Sequence, residues 1–171
     1  DLRLPLTIHT KLMKDKKILI IDDDIDLCQM VTFSLTQAGA TVYAAIDGRQ
    51  GLKLFFEHKP DLVILDIRMP DMDGWETCQQ IRMLADTPII MLTTLHRDHE
   101  IIKGLNYGAD DFLTKPFNKD LLIARANAVF RRVDSKPAEN DIGSGLQFYY
   151  DDYLLVDLNR RRVEAAGEPV K

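Results

Sequence analysis

Five short apolar runs punctuate the first two-thirds of the chain, at 18–21, 41–44, 62–65, 89–92 and 112–113. Those starting at 18, 62 and 89 are apolar at every position instead of alternating, the pattern of parallel strands covered on both faces. Between the runs, hydrophobic positions recur with a helical period. Leu27, Cys28, Val31, Leu35 and Ala38 fall on one face, and Gly39 follows as a C′ stop. Leu52, Phe55 and Phe56 follow an Asp47–Gln50 pair of capping-box form, and Asp73–Glu76 repeats that form around Trp75, Cys78 and Ile81. Weaker helical patterns cover 98–106 and 119–132. Strand alternating with helix five times predicts an α/β fold with a right-handed, doubly wound sheet.

The pattern breaks after Arg132. Residues 134–145 are polar and contain Pro, Gly and Ser, as a linker does. Beyond them 146–150, 153–156 and 162–165 read as three short strands of an antiparallel meander, too small to stand alone. The chain is therefore expected to stop inside a second domain. The 171 residues, 46% hydrophobic and 29% charged, suit one ordinary domain with a proper core plus this small addition. A net charge of −5 argues against an electrostatic grip on nucleic acid by the whole chain. No apolar run approaches a membrane span, and the two cysteines, Cys28 and Cys78, make no disulfide framework. The expected location is cytoplasmic, with no membrane partner.

Candidate chemistry sits where strands end. Asp22, Asp23 and Asp24 follow the first strand, and Asp66 ends the third. In a doubly wound sheet ligands bind beyond the carboxyl ends of the strands, where strand order reverses. With the order 2-1-3-4-5, strands one and three are neighbours at that point, and Asp22, Asp23 and Asp66 converge. Carboxylates crowded together repel, and a hard divalent cation with oxygen ligands resolves the conflict; so few carboxylates suit Mg²⁺ better than a calcium cage. Asp24 reads instead as the cap of the first helix. Thr93 and Lys115 end the fourth and fifth strands on the same edge. A hydroxyl and a cation beside a metal-bound carboxylate make a receptacle for a phosphoryl group, with Asp66 as the nucleophile.

Four segments carry a family resemblance: 18–24 (ILIIDDD), 61–74 (DLVILDIRMPDMDG), 91–94 (MLTT) and 108–117 (GADDFLTKPF). Over about 16–132 the chain resembles the receiver domain of two-component response regulators. The resemblance implies a flavodoxin-like five-stranded sheet of order 2-1-3-4-5. It implies that Asp66 accepts phosphate from a histidine kinase, and that Asp23, Asp66 and the backbone carbonyl of Arg68 ligate Mg²⁺ while Asp22 holds a metal water. Lys115 would bind a phosphoryl oxygen, before a Lys115–Pro116 bond that is cis in the family. Thr93 and Phe112 would be the switch pair. Such a protein is not an enzyme beyond its own phosphorylation and dephosphorylation. The stretch 155–163, with Gly167, Glu168, Pro169 and Val170, resembles the opening strands of the winged-helix effector of OmpR/PhoB-type regulators. DNA binding would then belong to the missing part of that effector. The organisation expected is an extension over 1–15, partly non-native, a receiver over 16–133, a linker over 134–145 and truncated effector strands over 146–171.

Two departures stand out. Thr94 occupies a position that is commonly Ala or Gly in receivers, and predicts narrowed access to the phosphoryl group. The family's dimer pairs its fourth helix, fifth strand and fifth helix through charges, for which Asp110, Asp111, Arg125 and Arg132 stand in matching places. Ile101 and Leu121, however, fall where an opposite-charge pair often sits, so the face, which includes Leu105, is either more apolar than usual or has its fourth helix rotated so that Ile101 packs inside. The alternative function is therefore a constitutive, phosphate-independent dimerisation module. A phosphatase of the haloacid-dehalogenase type would need an aspartate where Arg68 stands. His96 and His99 read as exposed helix residues, and both cysteines as core.

Overall fold

A computed structural model describes residues 13–94 and 107–134, together with the backbone of four short strands further on. Its main sheet has five parallel strands: β1 Lys17–Ile21, β2 Thr41–Ala45, β3 Leu62–Asp66, β4 Ile89–Thr93 and β5 Asp111–Thr114. Their order is β2-β1-β3-β4-β5, as expected for a doubly wound sheet. The described helices are α1 Ile25–Gln37, α2 Gly48–His58, α3 Gly74–Arg82 and α4 Lys119–Asp134. The predicted 98–106 helix, with Ile101, Leu105 and both histidines of 96–99, lies outside the described residues.

Uniformly apolar strands still obey their period of two. Ile18 and Ile20 of β1, Leu62 and Ile64 of β3, and Ile90 and Leu92 of β4 face one layer, packed against Val31 and Leu35 of α1 and Leu122, Val129 and Phe130 of α4. The alternate residues, Leu19, Ile21, Val63, Leu65, Ile89 and Met91, face Phe55 of α2 and Trp75, Cys78 and Ile81 of α3. Both faces are dry, so neither could accept the polar positions that an exposed sheet face would carry. Met13, inside the predicted 1–15 extension, is fully buried in the first cluster, so the packed unit begins ahead of residue 16.

Helix starts follow the predicted caps. Asp24, Asp47 and Asp73 are N-caps whose carboxylates accept from the N–H groups of Leu27, Gln50 and Glu76. At α2 the returning bond of Gln50 goes to the N–H of Ile46 instead of that of Asp47, a variation on the expected box. Gly39 ends α1 with φ 104, in the C′ role. Phe56, placed on the apolar face of α2 by its spacing, is 59% exposed; Phe55 takes the core position. Gly74 is required by close approach, because a Cβ there would lie 2.1 Å from the backbone oxygen of Asp66.

Further along, β6 Phe148–Tyr150, β7 Leu154–Asp157, β8 Arg162–Ala165 and β9 Glu168–Pro169 pair antiparallel in chain order.

Candidate functional site

Register alone brings the four strand-end groups to one edge of the sheet. Ile21 pairs with Leu65, so the next residues, Asp22 and Asp66, are level. Asp66 pairs with Leu92 and Leu92 with Leu113, so Thr93 stands one residue and Lys115 two residues beyond that level. One carboxylate oxygen from each of Asp22, Asp23 and Asp66 lies within 4.8 Å of the other two. Asp22 is fully buried and Asp66 nearly so, while Asp23 is exposed at the mouth.

The side chains are held in place by specific partners. Asp22 accepts from the N–H of Asp24 at 2.9 Å through Oδ1 and from Lys115 Nζ at 2.6 Å through Oδ2. Asp66 contacts Lys115 Nζ at 2.9 Å through Oδ1 and accepts from the N–H of Arg68 at 3.1 Å through Oδ2. Lys115 thus bridges two carboxylates, and its own N–H donates to the Thr93 carbonyl at 2.6 Å. The Lys115–Pro116 bond is cis. Thr93 is buried at the end of β4.

Among the described residues three carboxylates gather around one ammonium, an excess of negative charge. Burial pushes the Asp66 carboxyl above its ordinary range; the Lys115 hydrogen bond opposes this, and the charges of Asp22 and Asp23 add to it. Burial works against the charge of Lys115, but its hydrogen bonds to Asp22 and Asp66 outweigh that and hold it above the usual lysine value. The donors present therefore fit a hard divalent cation of the Mg²⁺ class: all are oxygens, they converge, and they lack positive charge. Asp66, buried at the end of β3 with one carboxylate oxygen on Lys115 and the other on the Arg68 N–H, is the candidate nucleophile of the set.

Cys28, assigned to the core by its spacing, is buried there, but it also touches the site. Its thiol donates to the Asp22 carbonyl at 3.3 Å. Burial, then the charges of Asp22 and Asp24, push that thiol up to about 11, which makes it a poor nucleophile beside Asp66. No sequence signal marks this contact beyond the six-residue spacing. Phe112 is buried in the layer of Trp75 and Met91. The carbonyl of Arg68 has no described partner, and its N–H is the group that meets Asp66.

The charged residues of the predicted dimer face close on partners within the chain. Asp111 meets Arg125 at 3.0 Å and Arg132 at 3.9 Å, and Asp110 meets Arg82 at 2.6 Å. Leu121 is 41% exposed.

A parallel 2-1-3-4-5 sheet with paired acids after β1, an acid ending β3, and Thr and Lys ending β4 and β5 is the arrangement expected of a receiver domain. The chain belongs to the response regulator receiver domain family, whose family model matches residues 18–127. It is 39% identical over 160 residues to a protein named probable transcriptional regulator ycf27 from Porphyridium aerugineum, covering 93% of this chain and 66% of that one. The protein of the same name from Guillardia theta is 38% identical over 169 residues, covering 98% of this chain and 64% of its own length. The chain thus spans slightly less than two-thirds of these relatives. Among solved structures, a two-component response regulator from Clostridium difficile matches with a TM-score of 0.69 at 38% identity, over 71% of this chain and 100% of that one. The response regulator DrrB of Thermotoga maritima, an OmpR/PhoB homologue, matches with a TM-score of 0.68 at 31% identity, over 92% of this chain and 66% of its own. Among the described residues no helix is long and apolar enough to cross a membrane.

Proposed function

We propose that the chain is the phosphorylation-dependent receiver of a two-component transcriptional regulator, with Asp66 as phosphoacceptor. The observation that carries this reading is the single ammonium of Lys115 spanning the buried carboxylates of Asp22 and Asp66, at 2.6 and 2.9 Å. That geometry leaves the pocket short of positive charge at the place where a dianionic group would arrive.

Asp22, Asp23, Asp66 and the Arg68 carbonyl would hold Mg²⁺, which when bound neutralises the carboxylates and the phosphoryl oxygens. The donor is the phosphohistidine of a histidine kinase. An Asp66 oxygen attacks phosphorus, the P–N bond breaks, the O–P bond forms, and the imidazole leaves with the N–P electron pair. Lys115, already at the pocket, shifts its ammonium from the Asp66 carboxylate to a phosphoryl oxygen. The Thr93 hydroxyl turns toward the same group, and Phe112 packs behind it. Hydrolysis of the acyl phosphate returns Asp66, so the chain acts only on itself and is not an enzyme toward other substrates.

The output is dimerisation through residues 98–106, β5 and α4, with DNA bound by a C-terminal effector; the relatives named probable transcriptional regulators support a role in transcription. A cytoplasmic location follows from that partnership. Leu121, exposed where a charge often sits, favours the second reading, a phosphate-independent dimer.

Intact mass and light scattering with Mg²⁺ and acetyl phosphate, alongside Asp66→Asn, test the proposal. The expected result is one phosphoryl group on wild type, none on Asp66→Asn, and a shift from monomer to dimer. A dimer in both states with no adduct would overturn it in favour of the constitutive module.

A further inference from the structure

The third helix grips a turn that leads straight into the switch strand. Trp75, Cys78 and Arg82 stand three and four residues apart, on one face of α3. All three contact the turn over 107–110. The Trp75 and Tyr107 rings are 5.4 Å apart, and the Cys78 thiol donates to the Tyr107 carbonyl at 3.4 Å. Arg82 spreads its guanidinium over three acceptors: Nε donates to the Gly108 carbonyl at 2.8 Å, Nη1 to the Thr87 carbonyl at 2.5 Å, and Nη2 to Asp110 Oδ2 at 2.6 Å. The same Asp110 oxygen accepts from the N–H of Ile89 at 2.8 Å, so Arg82 joins α3, the start of β4 and the start of β5.

The other end of α3 rests on the phosphoacceptor. The N–H of Gly74 donates to the Ile67 carbonyl at 3.0 Å, and no side chain fits between Gly74 and the backbone of Asp66. One short rigid helix therefore touches the Asp66 segment at its first residue and the turn two residues ahead of Phe112 at its last. A planar fork satisfied at three points resists rotation in a way that a point charge on a flexible stem does not.

We propose that Arg82 is a positioning residue of the switch, tying the turn at 107–110 to α3 so that the state of Asp66 is felt at Phe112. This inference rests on Asp66 as the phosphoryl site. It adds a route through α3 to the Thr93–Phe112 pair and leaves Asp110 engaged within its own chain.

Trp75, the single tryptophan, packs on Tyr107 and reports on the turn by its fluorescence. The experiment titrates the 171-residue chain with beryllofluoride and Mg²⁺, reading Trp75 emission and, separately, the ¹⁹F signal of bound fluoride. Variants are Arg82→Met, Arg82→Lys and Asp110→Asn; the last two keep the proposal testable if the first fails to fold. Wild type is expected to bind the fluoride and change its emission. The variants are expected to bind it within twofold of wild type while losing more than half of the emission change, with Arg82→Lys no better than Asp110→Asn. An undiminished emission change in a variant that merely melts earlier would overturn the proposal and leave Arg82 as a stability residue. Absence of bound fluoride in wild type would instead overturn the phosphoacceptor reading on which it rests.

Discussion

Two pairs of adjacent aspartates end in opposite electrostatic situations. At the pocket Asp22 and Asp66 share the ammonium of Lys115, and Asp23 converges on them without pairing with it. At the β5 edge Asp110 and Asp111 face three guanidiniums, those of Arg82, Arg125 and Arg132. Among the described residues the edge acids are matched by cations of the chain, and the pocket acids are not. A run of acids signals chemistry only where the fold withholds the matching cations, because an uncompensated buried charge is costly and is relieved by an ion or a proton. The same reasoning predicts that deleting an acid should harm one place and help the other.

The larger effect is expected at the edge. Asp111 is 8% exposed at its side chain, pairs with Arg125 at 3.0 Å, and accepts from the N–H of Phe112 at 2.8 Å. Asp111→Ala withdraws that carboxylate from two guanidiniums and a backbone donor at once. Urea unfolding should show a loss of about 2–3 kcal/mol, at or just below the range for breaking a buried pair. A loss below about 0.5 kcal/mol would place the edge among ordinary solvated surface pairs, and the contrast would dissolve.

At the pocket the sign reverses. The raised Asp66 carboxyl means that the folded protein binds this proton more tightly than the unfolded chain. The stability linked to that proton is present at low pH and is lost as pH rises through the folded value. Asp66→Asn removes the charge that costs stability at neutral pH. Without Mg²⁺ its Tm should therefore exceed wild type at pH 7, and the advantage should fade as pH falls toward the ordinary value of 3.8. Added Mg²⁺ should raise the wild-type Tm more than that of Asp66→Asn. An Asn variant that melts at or below wild type at pH 7 would mean that Lys115 alone balances the pocket.

The pocket was legible from the sequence because parallel register does the assembling. Once β1 and β3 are neighbours, Asp22 and Asp66 must meet, and a family pattern of strand-end residues says which neighbours they have. The uniformly apolar strands and the Asp caps were readable for the same local reasons. The edge was not readable in this way. Asp110 and Asp111 stand beside positions that suit a dimer, and nothing in spacing distinguishes a guanidinium in the same chain from one in a second copy. Arg82 lies 28 residues from Asp110 and finds it only through the packing of α3 against β4 and β5. Likewise Phe56 and Phe55 are adjacent apolar residues, and only the helix's rotation against the sheet decides which one is buried.

The smallest effect concerns the pocket's entrance. Thr93 is buried at the end of β4, whereas Thr94, the next residue, is exposed. On the proposed phosphoacceptor reading, this branched side chain, stiff at χ1, is expected to obstruct water approaching an Asp66 acyl phosphate. Thr94→Ala removes the hydroxyl and methyl groups without touching Asp22, Asp66, Thr93 or Lys115. Loss of the phosphoryl group, followed by intact mass after the donor is removed, should quicken by about two- to fivefold, which is roughly 0.4–1 kcal/mol in the barrier. Thr94→Val keeps the branched shape without the hydroxyl and should stay near wild type. If Val quickens the loss as much as Ala, the hydroxyl and not the bulk sets the rate, and the residue acts on water by hydrogen bonding instead of by obstruction. That outcome would extend the charge contrast to polar groups: at the pocket mouth, as at its floor, the partners supplied by the chain and not the space it leaves would govern the chemistry.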